Sequence, residues 1–592
     1  MPAVTAGAIQ PIDRRDLFGA AASAAVVVVA AIVFYHFDHA FFWKDDFQLQ
    51  YLPASREVVR AWQEGSFPLL SRFSWYGGAL AGEFQHGVFS LFVTACNLLV
   101  WSIPLELSSR AVMLSSFHLA VMAAGVFLLG RSYGMRAPLA TAAAFAVTLN
   151  GWNLFWGAAT WYPALTSFAW LPWYWLSLRH ASRSRLAWFG GGLSFYCLVA
   201  AGWPYTILMS GLLTLLELLK GRHNRAALAS IATAAILGLA LSAPATLMLL
   251  EYFRATYRVG QGAQLDVRWV VPPSGLLGAI LPTIRTDWRL WLGPMPHSAV
   301  ELAGGLVPLA GLTAAAATRR WRIFRELRGE LILLEFLVLL AVSPSIGIFR
   351  WPFRWLPLLH LLLAIAGFAA IQRISDESAR MRDRVGLWCG LLIVAAVALA
   401  WSVDLQIGTT SRYAIVLLLL AALWTVCGTR IAHAGAMAMT IGSIAVLFVF
   451  FPQVREVPVW PFDSSVLAQR PFDPRLRYLQ IAQWWTDGLT SNPGEPRRLI
   501  YGTGESLRPG NTPMFAGLEF VNGYSPLSPS GLHQLLGFDI HGPIRIDYVD
   551  SVAARETAPG ALLDHMSVDG LVLPGRWIQR TEGWVWEDGR WD

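Results

Sequence analysis

Residues 88–104 read VFSLFVTACNLLVWSIP, and whether this stretch crosses a membrane decides the topology of the whole chain. It is apolar and uncharged, and it sits at the short limit of the ~17–25 residues that cross a ~30 Å hydrocarbon core. Downstream, the cations gather in six turns: Arg131/Arg136, Arg179/Arg183/Arg185, Lys220/Arg222/Arg225, Arg319 to Arg328, Arg373 to Arg384, and Arg430. These alternate with turns nearly free of cations. Loops on the cytoplasmic side carry the Lys/Arg excess. If 88–104 spans, all six basic turns fall outside while Arg14 and Arg15 stay inside. If it does not, all six join Arg14 and Arg15. The second arrangement obeys the rule, so 88–104 is expected to be a re-entrant or interfacial segment. Residues 37–110 then form one large outer loop.

The surrounding composition requires a bilayer. Of 592 residues, 55% are hydrophobic and 14% charged, well below the ~25% charged residues of a soluble domain. Spans of adequate length are expected at 17–36, 111–130, 137–156, 161–179, 186–202, 203–220, 226–250, 299–317, 331–347, 353–371, 386–403, 412–429 and 434–451. The first follows Arg14 and Arg15 and lacks a small-residue cleavage site, so it is read as an uncleaved helix with a cytoplasmic N-terminus. Ala201-Gly202-Trp203-Pro204 is a turn signal that divides two of the spans.

Thirteen crossings place residues 452–592 outside. The fold class expected is an all-α polytopic membrane protein of about 13 transmembrane helices, residues 1–451, with a small α+β extracytoplasmic C-terminal domain, 452–592. Within that domain Arg498–Tyr501 and Gly570–Leu573 read as strands and Pro474–Trp485 as a helix. The net charge of +7 is almost wholly arginine, since Lys44 and Lys220 are the only lysines. Its place at membrane-flanking turns gives it a topological role, so no nucleic-acid partner is expected. The four cysteines lie singly in apolar stretches, with no disulfide, metal or redox spacing.

The sharpest candidate for chemistry follows the first helix: Trp43-Lys44-Asp45-Asp46-Phe47-Gln48-Leu49-Gln50-Tyr51-Leu52-Pro53. An acidic pair at a helix mouth is either a solvated end or a general base or metal ligand at the membrane–water boundary. The same loop continues with Glu64-Gly65-Ser66-Phe67-Pro68-Leu69, Trp75-Tyr76-Gly77-Gly78 and Glu83-Phe84-Gln85-His86, a mixture of aromatic, glycine and polar residues suited to binding. Arg350 and Arg354 stand in a turn assigned to the outer side, against the rule for that side. Arginine pairs phosphate through a two-pronged fork, although an aromatic-arginine anchor at the headgroups would use the same residues. The outer loop 251–298 adds Arg285, Asp287, Trp288, Arg289 and Trp291; it is either functional or a structural lid. His118, inside an apolar helix, is expected to be a packing residue. No nucleotide loop, zinc spacing or nucleophile elbow is present.

Taken in order, these segments resemble the bacterial YfhO-like membrane proteins of the GT-C superfamily of glycosyltransferases. The resemblance rests on Asp46, Gln50, Tyr51 and Pro53; on Gly65, Pro68 and Leu69; on Gly77 and Gly78; on Arg350, Pro352 and Arg354; and on Asn522, Gly523, Tyr524, Pro526 and Leu527. It implies a GT-C-like fold in the bacterial cytoplasmic (inner) membrane. It also implies transfer of a sugar from a polyprenyl-phosphate-linked donor to an envelope glycan, lipid or protein acceptor on the outer face, with inversion. Asp46 would be the base and Asp45 an auxiliary carboxylate or, with Asp46, a ligand to a divalent metal such as Mg or Mn. Arg350, Arg354 and Lys44 would hold the donor phosphate, and Gln50, Tyr51, His86 and Arg285 would contact substrate. The chain departs from the pattern in two places. Asp45 stands where glycine is common, and Gly202-Trp203-Pro204-Tyr205 replaces a polar turn. Two other readings share the residues: a transporter or flippase for a lipid-linked saccharide, and a non-catalytic envelope-assembly protein. Charges inside paired broken helices and inverted repeats, the marks of a transporter, are missing from the sequence.

Overall fold

Asp13 opens the first helix, α1 (Arg14–Phe37), through a reciprocal capping box: its carboxylate accepts from Asp16 N at 2.8 Å, and Asp16 accepts from Asp13 N at 3.1 Å. The computed structural model describes residues 12–260, 265–290, 293–346, 350–377, 384–407, 410–450, 464–481, 508–538, 542–545, 548–549, 551–552, 559–572, 586–587 and 590–591. At 24 residues, α1 is about 36 Å long and reaches across a bilayer. The chain then makes a long excursion containing two short helices, α2 (Leu52–Gln63) and α3 (Leu91–Trp101). The eleven residues of α3 extend only about 16 Å, half a membrane core. Ser90 caps its start, and Arg110 Nη1 donates to Val100 O at 2.8 Å at its end. The stretch that decides the topology is therefore a short bounded helix lying against α2.

The bundle continues with α4 (Leu107–Ser132), α5 (Ala137–Thr148), α6 (Tyr162–Phe168), α7 (Leu171–His180), α8 (Arg185–Ala200), α9 (Pro204–Gly221) and α10 (Arg225–Arg254). After the outer loop come α11 (Leu306–Ala317), α12 (Trp321–Glu326), α13 (Arg328–Val342) and α14 (Leu356–Glu377), then helices at Arg384–Ser402 and Thr410–Phe450. By length and composition five helices among the described residues suffice to cross a membrane: α1, α4, α10, Pro352–Asp376 and Val385–Ser402. The span expected at 137–156 breaks after Thr148, because Asn150 and Asn153 turn their carboxamides onto the backbone. Asn150 accepts from Asn153 N at 2.9 Å, and Asn153 donates to Val147 O at 2.5 Å. The span expected at 161–179 is split where Pro172, lacking an N–H, restarts the helix as α7. Thr410–Phe450 is helical throughout yet folds back on itself. Tyr413 OH lies 3.4 Å from Ser443 O, and a Cβ on Gly435 would touch the Trp424 ring. Its two legs are thus antiparallel.

Ion pairs gather the basic turns at one end of this bundle. Arg131, ending α4, meets Asp16 of α1 at 2.5 Å; Lys220, ending α9, meets Glu330 of α13 at 2.6 Å; and Arg373 of α14 meets Glu326 of α12 at 2.9 Å. Arg136, before α5, faces Asp376 at 3.5 Å. All of these lie at the end where α1 begins. The end of α1, the end of α10 and the start of the segment leading into α14 lie at the other. α14 runs through the centre, and there Gly367 lets its backbone touch Pro308 of α11.

Short strands trim the outer loop. β1 (Leu265–Asp266) pairs antiparallel with β4 (Ser345–Ile346), and β2 (Ile284–Leu290) lies between β3 (Gly293–Ser298) and β5 (Gln406–Ile407). In the C-terminal region β6 (Arg477–Gln480) is flanked in parallel by β7 (Glu519–Phe520) and β8 (Gly570–Val572). The strand expected at Gly570–Leu573 is thus present over its described residues, and the one expected at Arg498–Tyr501 lies outside them. The helix expected at Pro474–Trp485 is not formed at 477–480. Tyr478, Leu479 and Gln480 are buried between two neighbouring strands, and Asn522 brackets Gln480, accepting from its N–H and donating to its C=O. Tertiary pairing has overridden local helix propensity.

Candidate active site

The acidic pair lies in the turn that leaves α1. Lys44 N donates to Ala159 O at 3.0 Å, and Asp45 then takes a left-handed backbone with φ of +45°. That region is costly for any residue but glycine. Replacing Asp45 by glycine should relieve the turn by about 1 kcal/mol. The measurement is the unfolding midpoint of detergent-purified protein: Asp45→Gly is expected to melt a few degrees higher, and an unchanged or lower midpoint would count against strain here. A single wide helical turn, Phe47–Tyr51, follows; insertions of this kind recur at functional sites. It is braced from below. Phe47 stacks on Tyr162 with ring centroids 4.7 Å apart, and His118 bonds the Tyr162 hydroxyl at 3.0 Å, so His118 is the packing residue expected.

Two hydroxyls from the C-terminal region reach the carboxylates of this loop. Tyr524 OH donates to Asp46 Oδ1, and Ser525 OH donates to Glu83 Oε2. Burial, and then the adjacent Asp46 charge, raise the Asp45 carboxyl well above its ordinary value. Burial lifts Glu83 to about 7, against the opposing hydrogen bond from Ser525. Tyr51 donates to Gln85 Oε1 at 2.6 Å. Burial and the carboxylates around them hold both Tyr51 and Tyr524 well above the usual phenol range, so both remain donors. A cavity of about 10 Å³, the size that admits one water, lies among Ser71, Trp75, Glu83, His86, Tyr524 and Ser525.

Facing these acids is a set of arginines. The Arg350 turn is strained: Trp351 has φ of +65°. Phe353 N bonds Trp269 O at 3.1 Å, and the Tyr205 hydroxyl donates to Arg350 O. Arg354 is enclosed by aromatic faces, with its guanidinium 4.4 Å from the Trp161 and Trp351 ring centroids, 5.1 Å from Trp203 and 5.5 Å from Tyr205. The Gly-Trp-Pro-Tyr turn that departs from the expected pattern thus supplies two walls of this cage. Its Gly202 has φ of +92°, and a Cβ there would lie 1.9 Å from Phe84 O. Arg258 and Arg268 complete the cluster. Burial first, then Arg258, Arg354 and Arg268, push Arg350 down to about 9, still cationic at neutral pH. Arg258 is itself lowered by burial and by Arg354, while Glu83 raises it; its Nε donates to Pro526 O at 2.5 Å. The two sets sense each other, since Asp46 and Tyr51 act on Arg354 and Glu83 acts on Arg258.

The structure therefore brings together Asp45, Asp46, Tyr51, Arg350 and Arg354 among the residues expected from sequence. Gln50 is buried beside them, with its Nε2 unbonded among the described residues. Lys44 instead lies 3.8 Å from Asp38 and 5.3 Å from the Phe41 ring centroid. His86 bonds Leu80 O at 3.2 Å, and burial lowers it to about 4, so it is neutral. Arg285 is exposed on β2. Sequence reasoning did not select Glu83, Arg258, Arg268, Tyr524 or Ser525 as site residues. Tyr524 and Ser525 lie in the Asn-Gly-Tyr-Ser-Pro-Leu run, the one signal that pointed at them. Among the described residues no group of three or more His, Cys, Asp or Glu gathers as a metal site.

No family model matches the chain, and no curated protein does. Solved structures similar to it include ArnT from Cupriavidus metallidurans in the apo state, at 13% identity over 89% of this chain and 90% of that one, with a TM-score of 0.51. The same protein bound to undecaprenyl phosphate aligns at 14% identity over 89% and 90%, TM-score 0.49. The arabinofuranosyltransferase AftD from Mycobacteria aligns at 14% over 88% of this chain and 32% of that one, TM-score 0.48. These neighbours are GT-C glycosyltransferases, and at such identity the likeness to apo ArnT establishes the fold alone.

Proposed function

We propose that this protein transfers a sugar from a polyprenyl-phosphate-linked donor to an acceptor of the cell envelope, on the outer face of the bacterial inner membrane. One observation carries the reading. At the end of the bundle opposite the basic turns, an acidic pair and four arginines from distant parts of the chain meet around Tyr51 and Arg354. Such a site suits an inverting displacement. Asp46 accepts the proton of an acceptor hydroxyl, and the oxygen forms a bond to the anomeric carbon. The bond from that carbon to the phosphate oxygen breaks, and the polyprenyl phosphate departs with the electron pair. Arg350 and Arg354, with Arg258 and Arg268 behind them, stabilise the charge that develops on the leaving oxygen. Asp45 stands beside the base as an auxiliary carboxylate.

A divalent metal held by Asp45 and Asp46 remains part of the proposal as a variable to titrate, since an ion such as Mg takes one or two carboxylates and completes its shell with water and substrate phosphate. The N-terminus and basic turns would face the cytoplasm. The test is mass-spectrometric profiling of surface polymers and lipids from a deletion strain and from that strain complemented. A sugar-sized addition that is lost on deletion and restored by the gene supports transfer. An unchanged envelope profile removes the reading.

A further inference from the structure

Tyr524 belongs to the C-terminal region, 478 residues along the chain from Asp46, yet its hydroxyl donates to Asp46 Oδ1. The contact is held from several sides. Tyr524 N donates to Asn511 Oδ1 at 2.8 Å, and Asn511 Nδ2 returns a bond to Tyr524 O at 3.0 Å. Asn511 N in turn donates to Leu49 O at 2.7 Å, inside the turn that carries Asp46. Trp75 N donates to Asn522 O at 3.2 Å, and Arg60 donates to Met514 O at 2.8 Å. Tyr524 is buried. A segment merely docked on a loop has no need to aim a buried phenol at the one carboxylate positioned to act as a base.

We propose that Tyr524 is a positioning residue of the transfer site, holding the Asp46 carboxylate in the orientation from which it takes the acceptor proton, so that the membrane part alone is an incomplete catalyst. The proposal rests on the transferase reading. A carboxylate held by a hydrogen bond of this kind keeps one orientation. Without the donor it turns freely and meets the acceptor hydroxyl correctly less often. The other ionisable groups facing Asp46 are Asp45 in its own turn, Tyr51 at the start of α2, and Arg354 ahead of α14, with Glu83 beyond Tyr51. None of them is altered by exchanging Tyr524 for phenylalanine, which keeps the ring.

The experiment follows the initial rate of the sugar-sized mass addition in membrane vesicles carrying wild type, Tyr524→Phe, Arg60→Ala or Asp46→Asn at equal protein levels, together with inhibition by added polyprenyl phosphate and the unfolding midpoint of each purified protein. Tyr524→Phe is expected to run about 10–100-fold slower with its inhibition and its midpoint unchanged. Arg60→Ala loosens the same seam away from Asp46 and should lower the midpoint without a comparable loss of rate. A Tyr524→Phe rate equal to wild type, or a loss matched by Arg60→Ala, overturns the proposal while an inactive Asp46→Asn leaves the transferase reading in place. An active Asp46→Asn overturns both.

Discussion

Asp46→Asn is expected to lower the transfer rate by about 10²–10⁴-fold, the usual worth of a positioned general base, while leaving the protein folded and at normal level in the membrane. The exchange isolates the chemistry. Asparagine has the shape of aspartate, and its carbonyl oxygen still accepts the Tyr524 hydroxyl that aspartate accepts now, so the seam between first loop and C-terminal region keeps its hydrogen bond. What is lost is the capacity to take a proton. Asp45→Asn makes the informative partner. Asp45 stands beside the base rather than serving as it, burial and the Asp46 charge raise its carboxyl well above the ordinary value, and an amide matches it in shape. Its loss should therefore be far smaller, about 10-fold or less. The rates are read as the appearance of the sugar-sized addition in the complemented deletion strain, with membrane protein quantified first. Equal damage from the two variants would mean that the pair acts as a unit. A wild-type rate from Asp46→Asn would remove it as the base.

The membrane character and the sidedness of the turns were open to sequence because each depends on local statistics. Apolar length marks a crossing, and the arginines at 131–136, 179–185 and 220–225 mark an end. The ion pairs of Arg131 with Asp16 and of Lys220 with Glu330 close what the charge pattern announces. Helix breaks at Asn150 and Pro172 were less visible, since a hydropathy window averages over one polar residue. Strand β6 was hidden for a different reason: its partners lie 42 and 92 residues away, at Glu519 and Gly570, and nothing within 474–485 records them. The site shows the same division. Asp46, Tyr51, Arg350 and Arg354 stood out because acids and arginines are conspicuous in apolar surroundings. Arg258 and Arg268 were equally charged but lay in a loop where charge needs no explanation. Lys44 and Arg285 were picked out on the same ground, and the structure places Lys44 3.8 Å from Asp38 and Arg285 exposed on β2.

Arg354 carries the second large expectation: Arg354→Lys should lose nearly as much activity as Arg354→Ala, about 10²–10³-fold in each case. If charge alone mattered, lysine would rescue. The surroundings argue otherwise. Four aromatic rings, from Trp161, Trp203, Tyr205 and Trp351, stand 4.4 to 5.5 Å from the guanidinium carbon, and a flat, weakly hydrated cation fits between ring faces where a compact ammonium with its water does not. The cage also fixes the direction of the fork, and its Nε makes no hydrogen bond among the described residues. A bidentate grip on a phosphate needs that direction. Among the described residues Arg350 is less enclosed, stacked on the Trp351 ring at 4.6 Å, so Arg350→Lys should be tolerated better, with a loss of about 10-fold. Membrane vesicles provide the check, with polyprenyl phosphate added as a competing product. Wild type should be inhibited and Arg354→Lys should resist, since the same contact serves donor and leaving group. A Lys variant that keeps both its rate and its inhibition would assign the phosphate to other cations, and Arg258 and Arg268 would be the next to exchange.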